Sequence, residues 1–316
     1  MTSFVRSVVS IPGNQRRGRT PFGAPMVIHA TAPETGGALG AWDTITPAGQ
    51  GPARHTHTRE IEFFLVLEGD YHFECGDDAF EASAGTVVVL PPHVPHKWWN
   101  AGAATGRMLV VVTPGGFEQM FLDILDQKTP DPSAIARIEH RYGLANDETP
   151  VVGLVQDIDP ARAPFPRAIV SRPTDPANGR TARGDDVLVR VRSGDTAGRL
   201  GAWVATIAPG TGPAWHTHSL ETELFAVISG TFRFWCGPDS FIAPPGSVIA
   251  LPPHVPHQWL NTGTEPGRLF GLVTPGGFEQ MFIDFRAMDG VSPAQLVAAE
   301  RALGVTGSPP ASGVTA

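Results

Sequence analysis

Residues 49–69 read Gly-Gln-Gly-Pro-Ala-Arg-His-Thr-His-Thr-Arg-Glu-Ile-Glu-Phe-Phe-Leu-Val-Leu-Glu-Gly, and residues 210–230 read Gly-Thr-Gly-Pro-Ala-Trp-His-Thr-His-Ser-Leu-Glu-Thr-Glu-Leu-Phe-Ala-Val-Ile-Ser-Gly. Both fit Gly-x5-His-x-His-x4-Glu-x6-Gly. A second pattern, Gly-x5-Pro-x4-His-x3-Asn, runs from Gly85 to Asn100 and again from Gly246 to Asn261. Each pair of equivalent residues is 161 positions apart, and the offset never slips. A repeat of this length implies two copies of a whole domain rather than a solenoid of short units.

Working outward, the match is densest from Leu39 to Asp123 against Leu200 to Asp284, where roughly half of the positions are identical. The block Thr113-Pro-Gly-Gly-Phe-Glu-Gln-Met-Phe121 returns intact at Thr274–Phe282. The register extends to Phe4/Phe165 and Gly18/Gly179 on one side and to Pro132/Pro293, Glu139/Glu300 and Gly143/Gly304 on the other. The expected units are therefore 1–145 and 162–305, with 146–161 as a linker and 306–316 as a disordered tail rich in Gly, Ser and Pro.

The 36 Gly and 31 Pro punctuate short Val/Ile/Phe/Leu runs, which favours turn-rich β structure over helix. Strands are predicted at 62–67, 71–75, 86–90 and 108–112, separated by turns at Gly69-Asp70 and Gly76-Asp77-Asp78. Each unit closes with helical signals. Asp131-Pro132 and Ser292-Pro293 are N-cap and first-turn pairs, and Gly143 and Gly304 are stop signals. Between them Ile135, Ile138 and Leu144, or Leu296, Ala299 and Val305, supply the expected apolar helix face. The fold class is all-β with a few flanking helices.

A formal charge of −8 without a Lys/Arg cluster speaks against nucleic acid. No apolar run approaches the ~18 residues of a membrane span. Residues 1–13 lack the apolar core of an export signal, and none follows Arg16-Arg17, so a cytoplasmic protein is expected. The two cysteines, Cys75 and Cys236, are repeat equivalents in different units, so two buried thiols are expected rather than a disulfide.

Eight of the eleven histidines lie in or beside the repeated patterns. Residues two apart on a strand face the same side, about 6.6 Å apart. His55 and His57 can thus point into one space, with Glu62 from the next strand and His96 from a third segment. Three imidazoles and a carboxylate suit a first-row divalent ion with positions left for water or substrate. His216, His218, Glu223 and His257 repeat the set. Glu60 and Glu221 repeat as well, but the spacing selects Glu62 and Glu223 and leaves the former as rim carboxylates or partners of a ligand. His93 and His254 sit in Pro-Pro-His-Val-Pro-His, a rigid turn that delivers His96 and His257.

Both paired patterns resemble the conserved motifs of the cupin superfamily, so the chain is similar to a bicupin over nearly its whole length. His93 and His254 stand where the second motif usually has Gly. The resemblance implies one jelly-roll β-barrel per unit, with a divalent transition metal ion (Fe, Mn, Ni, Co, Cu or Zn) in each. Its ligands would be His55, His57, Glu62 and His96, and then His216, His218, Glu223 and His257. The segments around Glu62 and Thr113–Glu118 also resemble bacterial quercetin 2,3-dioxygenases.

That likeness implies a metal-dependent dioxygenase acting with dioxygen on an aromatic or enolic small molecule, with Glu62 and Glu223 as ligand, base or both. A non-redox metal enzyme (isomerase, decarboxylase or lyase) and a non-catalytic metal- or ligand-binding bicupin remain the alternatives. Monomer and homodimer are both open. Trp98 and Trp259 either stack on a flat ring or pack the wall. The copies differ at Arg54/Trp215, Glu74/Trp235, Lys97/Gln258 and Trp99/Leu260, which predicts mouths of different charge and shape, and unequal turnover at the two sites.

Overall fold

The fold is that of a computed structural model, which describes residues 4–20, 23–126, 131–146 and 157–307. It divides into two compact units, Arg16–Thr174 and Met1–Gln15 with Asp175–Ala316. Among the described residues each unit has two antiparallel sheets and two α-helices.

In the first unit the seven-stranded sheet runs, edge to edge, Ile169–Ser171, Val87–Leu90, Ile61–Glu68, Gly106–Thr113, Gly40–Thr46, Pro25–Ala30 and Arg16–Arg19. The five-stranded sheet runs Leu144–Asn146, His55–His57, His96–Asn100, Asp70–Cys75 and Asp78–Ser83. The burial patterns follow the sequence. Asp70–Cys75 alternates between shielded and open positions, with Tyr71, Phe73 and Cys75 inside, as expected of a sheet with one wet face. Val87–Leu90 is an unbroken apolar run and is buried on both faces. One core joins Trp42, Phe64 and Val110 of the large sheet to Phe73 and Trp98 of the small one. The second unit repeats this plan, with Val8–Ser10 and Gly179–Arg180 at the edges of its large sheet and Asp239–Ala243 and Val305–Gly307 at the edges of its small one.

All four predicted strand runs are present, with ends moved by one or two residues. Three expectations are revised. First, the expected jelly roll is present in each unit, but it is made of two sheets that, among the described residues, do not close into one ring of hydrogen bonds. Second, the repeat unit and the folding unit differ in their first strand. Val8–Ser10 pairs with Val248–Leu251, and Ile169–Ser171 pairs with Val87–Leu90, so each repeat sends its leading strand to the unit built by the other.

Third, the closing helices are shorter than their apolar pattern suggests. α1 (Glu118–Leu125) and α2 (Pro132–Arg141) cover the first unit, and α3 (Gln280–Arg286) and α4 (Pro293–Ala302) the second. Asp131 and Ser292 cap α2 and α4 as predicted. Gly143 and Gly304, at φ 79° and 72°, end them in the left-handed region. The turn this makes sends Leu144 and Val305 onto strands beside His55–His57 and His216–His218 rather than onto the helix face. Thr306 and Gly307, assigned to the tail, belong to that strand. Residues 308–316 and most of the linker, 147–156, lie outside the described residues. No described helix is long and apolar enough to cross a membrane.

Candidate metal centre

Strand pairing assembles the site. His96 lies directly opposite His55 in the small sheet, and His57 follows on the same strand opposite Leu144. Glu62 comes from the large sheet, paired with Leu90 and Val112. The four side chains therefore bridge both sheets. One donor atom from each of His55, His57, Glu62 and His96 lies within 4.8 Å of all the others, and His216, His218, Glu223 and His257 form the same cluster in the second unit.

Hydrogen bonds fix which ring nitrogen faces the cluster. His55 Nδ1 donates to the Ala53 carbonyl at 2.8 Å and His96 Nδ1 to Val94 at 2.9 Å, leaving both Nε2 atoms as acceptors. His57 Nδ1 faces Glu60 Oε2 at 3.5 Å, and its Nε2 lies 3.7 Å from Glu62 Oε2. The second unit repeats this with Ala214, Val255 and a 3.2 Å bond from His218 Nδ1 to Glu221. Glu60 and Glu221 thus stand behind the His57 and His218 rings, outside the cluster. His93 and His254 also lie outside it, each in a turn at φ 64°, with its N–H donating to the carbonyl of His57 or His218 at 2.7 Å. A left-handed turn explains why Gly is usual there: only Gly enters that region without steric cost.

His57 Nε2, His96 Nε2 and Glu62 Oε2, like His218 Nε2, His257 Nε2 and Glu223 Oε2, are buried with no partner outside their own cluster, where His96 Nε2 lies 3.3 Å from Glu62 and His257 Nε2 2.8 Å from Glu223. Buried polar atoms of native proteins are normally paired. Converging ring nitrogens beside a carboxylate are the donor set of a divalent transition metal ion, one per unit. Burial, and then the fields of His96 and His57, pull His55 down to about 3, and His216 falls equally. For Glu62, burial pushes upward but His57 and His96 outweigh it and hold the carboxyl at about 2. The rings most exposed to mutual repulsion are thus kept neutral and the acid charged, the protonation states of ligands.

The repeated Thr113–Phe121 block serves this site, a role the sequence reading did not assign. Phe117 packs edge-on against the His57 ring at 4.4 Å, and Phe278 against His218 at 4.9 Å. Glu118 is fully buried and accepts from Ala32 N at 2.6 Å and Gly116 N at 2.8 Å; Glu279 does the same with Ser193 and Gly277. The intact repetition of nine residues was the available signal.

A cavity of about 110 Å³ opens onto His55 and Glu62 in the first unit, walled by Trp42, Phe64, Trp98, Phe117, Phe121 and Leu144 among others. Trp98 packs the wall, edge-on to Phe64 at 6.0 Å, and one side of it lines the cavity. Arg54 does not line this cavity. It bonds the Gly76 carbonyl and lies 3.6 Å from Glu74. Trp99 stacks on His72 at 4.3 Å and borders a separate groove with Lys97 and Glu74. Cys75 and Cys236 are buried free thiols, as expected.

Residues 42–112 and 203–274 each match the Cupin domain family. A protein of Methanocaldococcus jannaschii, Uncharacterized protein MJ1618, is 29% identical over 72 residues, which are 23% of this chain and 58% of that relative, little more than half its length. Among solved structures, the oxalate decarboxylase formate complex of Lactobacillus farciminis superposes with a TM-score of 0.61 at 17% identity, covering 87% of this chain and 88% of that one. A point mutant of Bacillus subtilis oxalate decarboxylase gives 0.60 at 15% identity over 96% and 89%. At such identities the likeness is one of fold. Two sheets per unit, one four-residue donor cluster in each and two matched segments show a fold of two cupin domains in tandem.

Proposed function

We propose that the protein is a metal-dependent dioxygenase of quercetinase-like type acting on an aromatic or enolic small molecule, with His55, His57, Glu62 and His96, and likewise His216, His218, Glu223 and His257, holding the ions. The observation that carries this reading is the aromatic-walled cavity that opens on His55 and Glu62. A transition metal ion held there supplies Lewis acidity toward a substrate oxygen and, if redox-active, reactivity with dioxygen.

The chain's own groups do the rest. Backbone carbonyls and Glu60 fix the imidazole tautomers, and Trp98, Phe117 and Phe121 exclude water and orient a flat ring. Glu62 is both a cluster member and a carboxylate of the cavity wall, placed to receive a proton from a substrate hydroxyl held at the ion. Relatives in fold are named for oxalate, but no Lys or Arg is among the residues lining this cavity to assist a metal ion in holding a small dianion.

A non-redox decarboxylase of the same fold is the second reading, favoured by the solved neighbours. Oxygen uptake by the metal-loaded protein with a flavonol, against carbon dioxide release from oxalate without oxygen consumption, decides between them. Uptake with the flavonol is expected; oxalate turnover alone would overturn the proposal. His57→Ala and His218→Ala are expected to lose activity unequally, with the larger loss from His57→Ala.

A further inference from the structure

α2 turns Ala136, Ile138 and Glu139 toward the interior, two apolar side chains and one acid. Glu139 is 7% exposed and lines the same cavity as His55 and Glu62. The other buried acids of this unit's cavity region are all engaged. Glu60 faces His57 and Arg59, Glu62 belongs to the donor cluster, and Glu118 accepts two backbone N–H groups. Glu139 meets no hydrogen-bond donor or cation among the described residues, and burial alone pushes its carboxyl up. An acid placed on the core face of a helix without a partner is costly to folding unless something else needs it there. The second repeat keeps the acid in the same register as Glu300 of α4, whose charge is felt by His218.

We infer that Glu139 is a specificity-determining residue of the first cavity: its carboxyl accepts a hydrogen bond from a hydroxyl or N–H of an aromatic ligand seated there, so hydroxyaromatic compounds are the preferred class. This rests on the proposed reading of the cavity as the substrate site. A site built to bond a hydroxyl rejects an isostere lacking it far more strongly than an apolar pocket distinguishes a methyl group.

Phenol and toluene, nearly equal in size, are suitable probes, titrated calorimetrically against the metal-loaded protein. Wild type is expected to prefer phenol about tenfold or more. Glu139→Leu should remove most of that preference while leaving toluene binding unchanged or tighter, and Glu139→Gln, which keeps an acceptor oxygen, should restore much of it. Metal content and melting temperature equal to wild type confirm the fold; if the leucine variant does not fold, Glu139→Met is read in the same way. An unchanged phenol-to-toluene ratio, or an equal loss for both probes, overturns the role of Glu139 and leaves the cavity reading intact. Failure of wild type to bind either probe overturns both.

Discussion

Glu60 and Glu62 stand two positions apart, yet only Glu62 reaches the donor cluster, while Glu60 lies behind the His57 ring. Outer-shell carboxylates of this kind orient a ligand and raise its basicity, and their loss typically weakens metal binding ~10–100-fold. Glu60→Ala and Glu221→Ala should each weaken one site by that factor in chelator competition; affinities equal to wild type would show that the two carboxylates are packing only. The spacing of the pattern was enough to choose Glu62. It could not place Glu60, because a carboxylate behind a ring and one at a rim read alike along the chain. The cluster also sets the acid response of the metal-free protein. His55 and His216 sit near 3 when folded against 6.5 otherwise, so the unfolded chain binds more protons throughout that window. Their contribution to stability is therefore complete above pH 6.5 and is lost as pH falls toward 3. Glu62 and Glu223, at about 2 against 4.5, act in the same sense lower down. His57 and His218 are raised: burial alone would lower them, but Glu62 with Glu60, and Glu223 with Glu221, outweigh it. Their contribution is present below 6.5 and fades as pH rises through the folded value. The melting temperature of metal-free protein is expected to drop steadily from about pH 6.5 to about pH 4, and a flat profile over that range would contradict the buried, neutral state of His55.

The loop around Glu118 shows how an element is held by one side chain. Its carboxylate ties the loop that opens α1 to the end of the Pro25–Ala30 strand, and a Cβ at Gly40 would overlap that carboxylate; Gly201 and Glu279 repeat the arrangement. Gly40→Ala and Gly201→Ala should therefore destabilise by ~1–3 kcal/mol through overpacking. The fall in urea midpoint is the measure, and an unchanged midpoint would mean that the loop simply shifts. Helix starts were legible because caps are local: Asp131-Pro132 and Ser292-Pro293 carry their own hydrogen-bond chemistry. Helix ends were half legible. Gly143 marked the stop, but Leu144 one residue later looked like another apolar helix position, since a buried Leu satisfies either period. Only pairing with His57, a contact 87 residues distant in sequence, makes it a strand.

At the scale of the molecule, the repeat made the duplication, the two donor sets and the separate cysteines readable from the chain alone. The destination of each leading strand was not readable, because a three-residue run such as Val8–Ser10 carries no record of its partner. Its ties to the second unit, pairing with Val248–Leu251 and the Arg6–Asp239 ion pair, cover a strand whose chain continues through the Pro252–Pro256 turn to His257. Removal of residues 1–12 should uncover that edge, lower the melting temperature and reduce metal content from two ions toward one, with His55, His57, Glu62 and His96 retaining theirs. Two ions kept at an unchanged melting temperature would show the strand to be dispensable. The exchange also bears on ancestry. A half-length chain of this design would own a strand it cannot use and an edge it cannot cover, and two such chains would satisfy each other by trading strands. Duplication and fusion would turn that trade between molecules into a trade within one, after which the two donor sets could drift apart in sequence without either half regaining the freedom to leave.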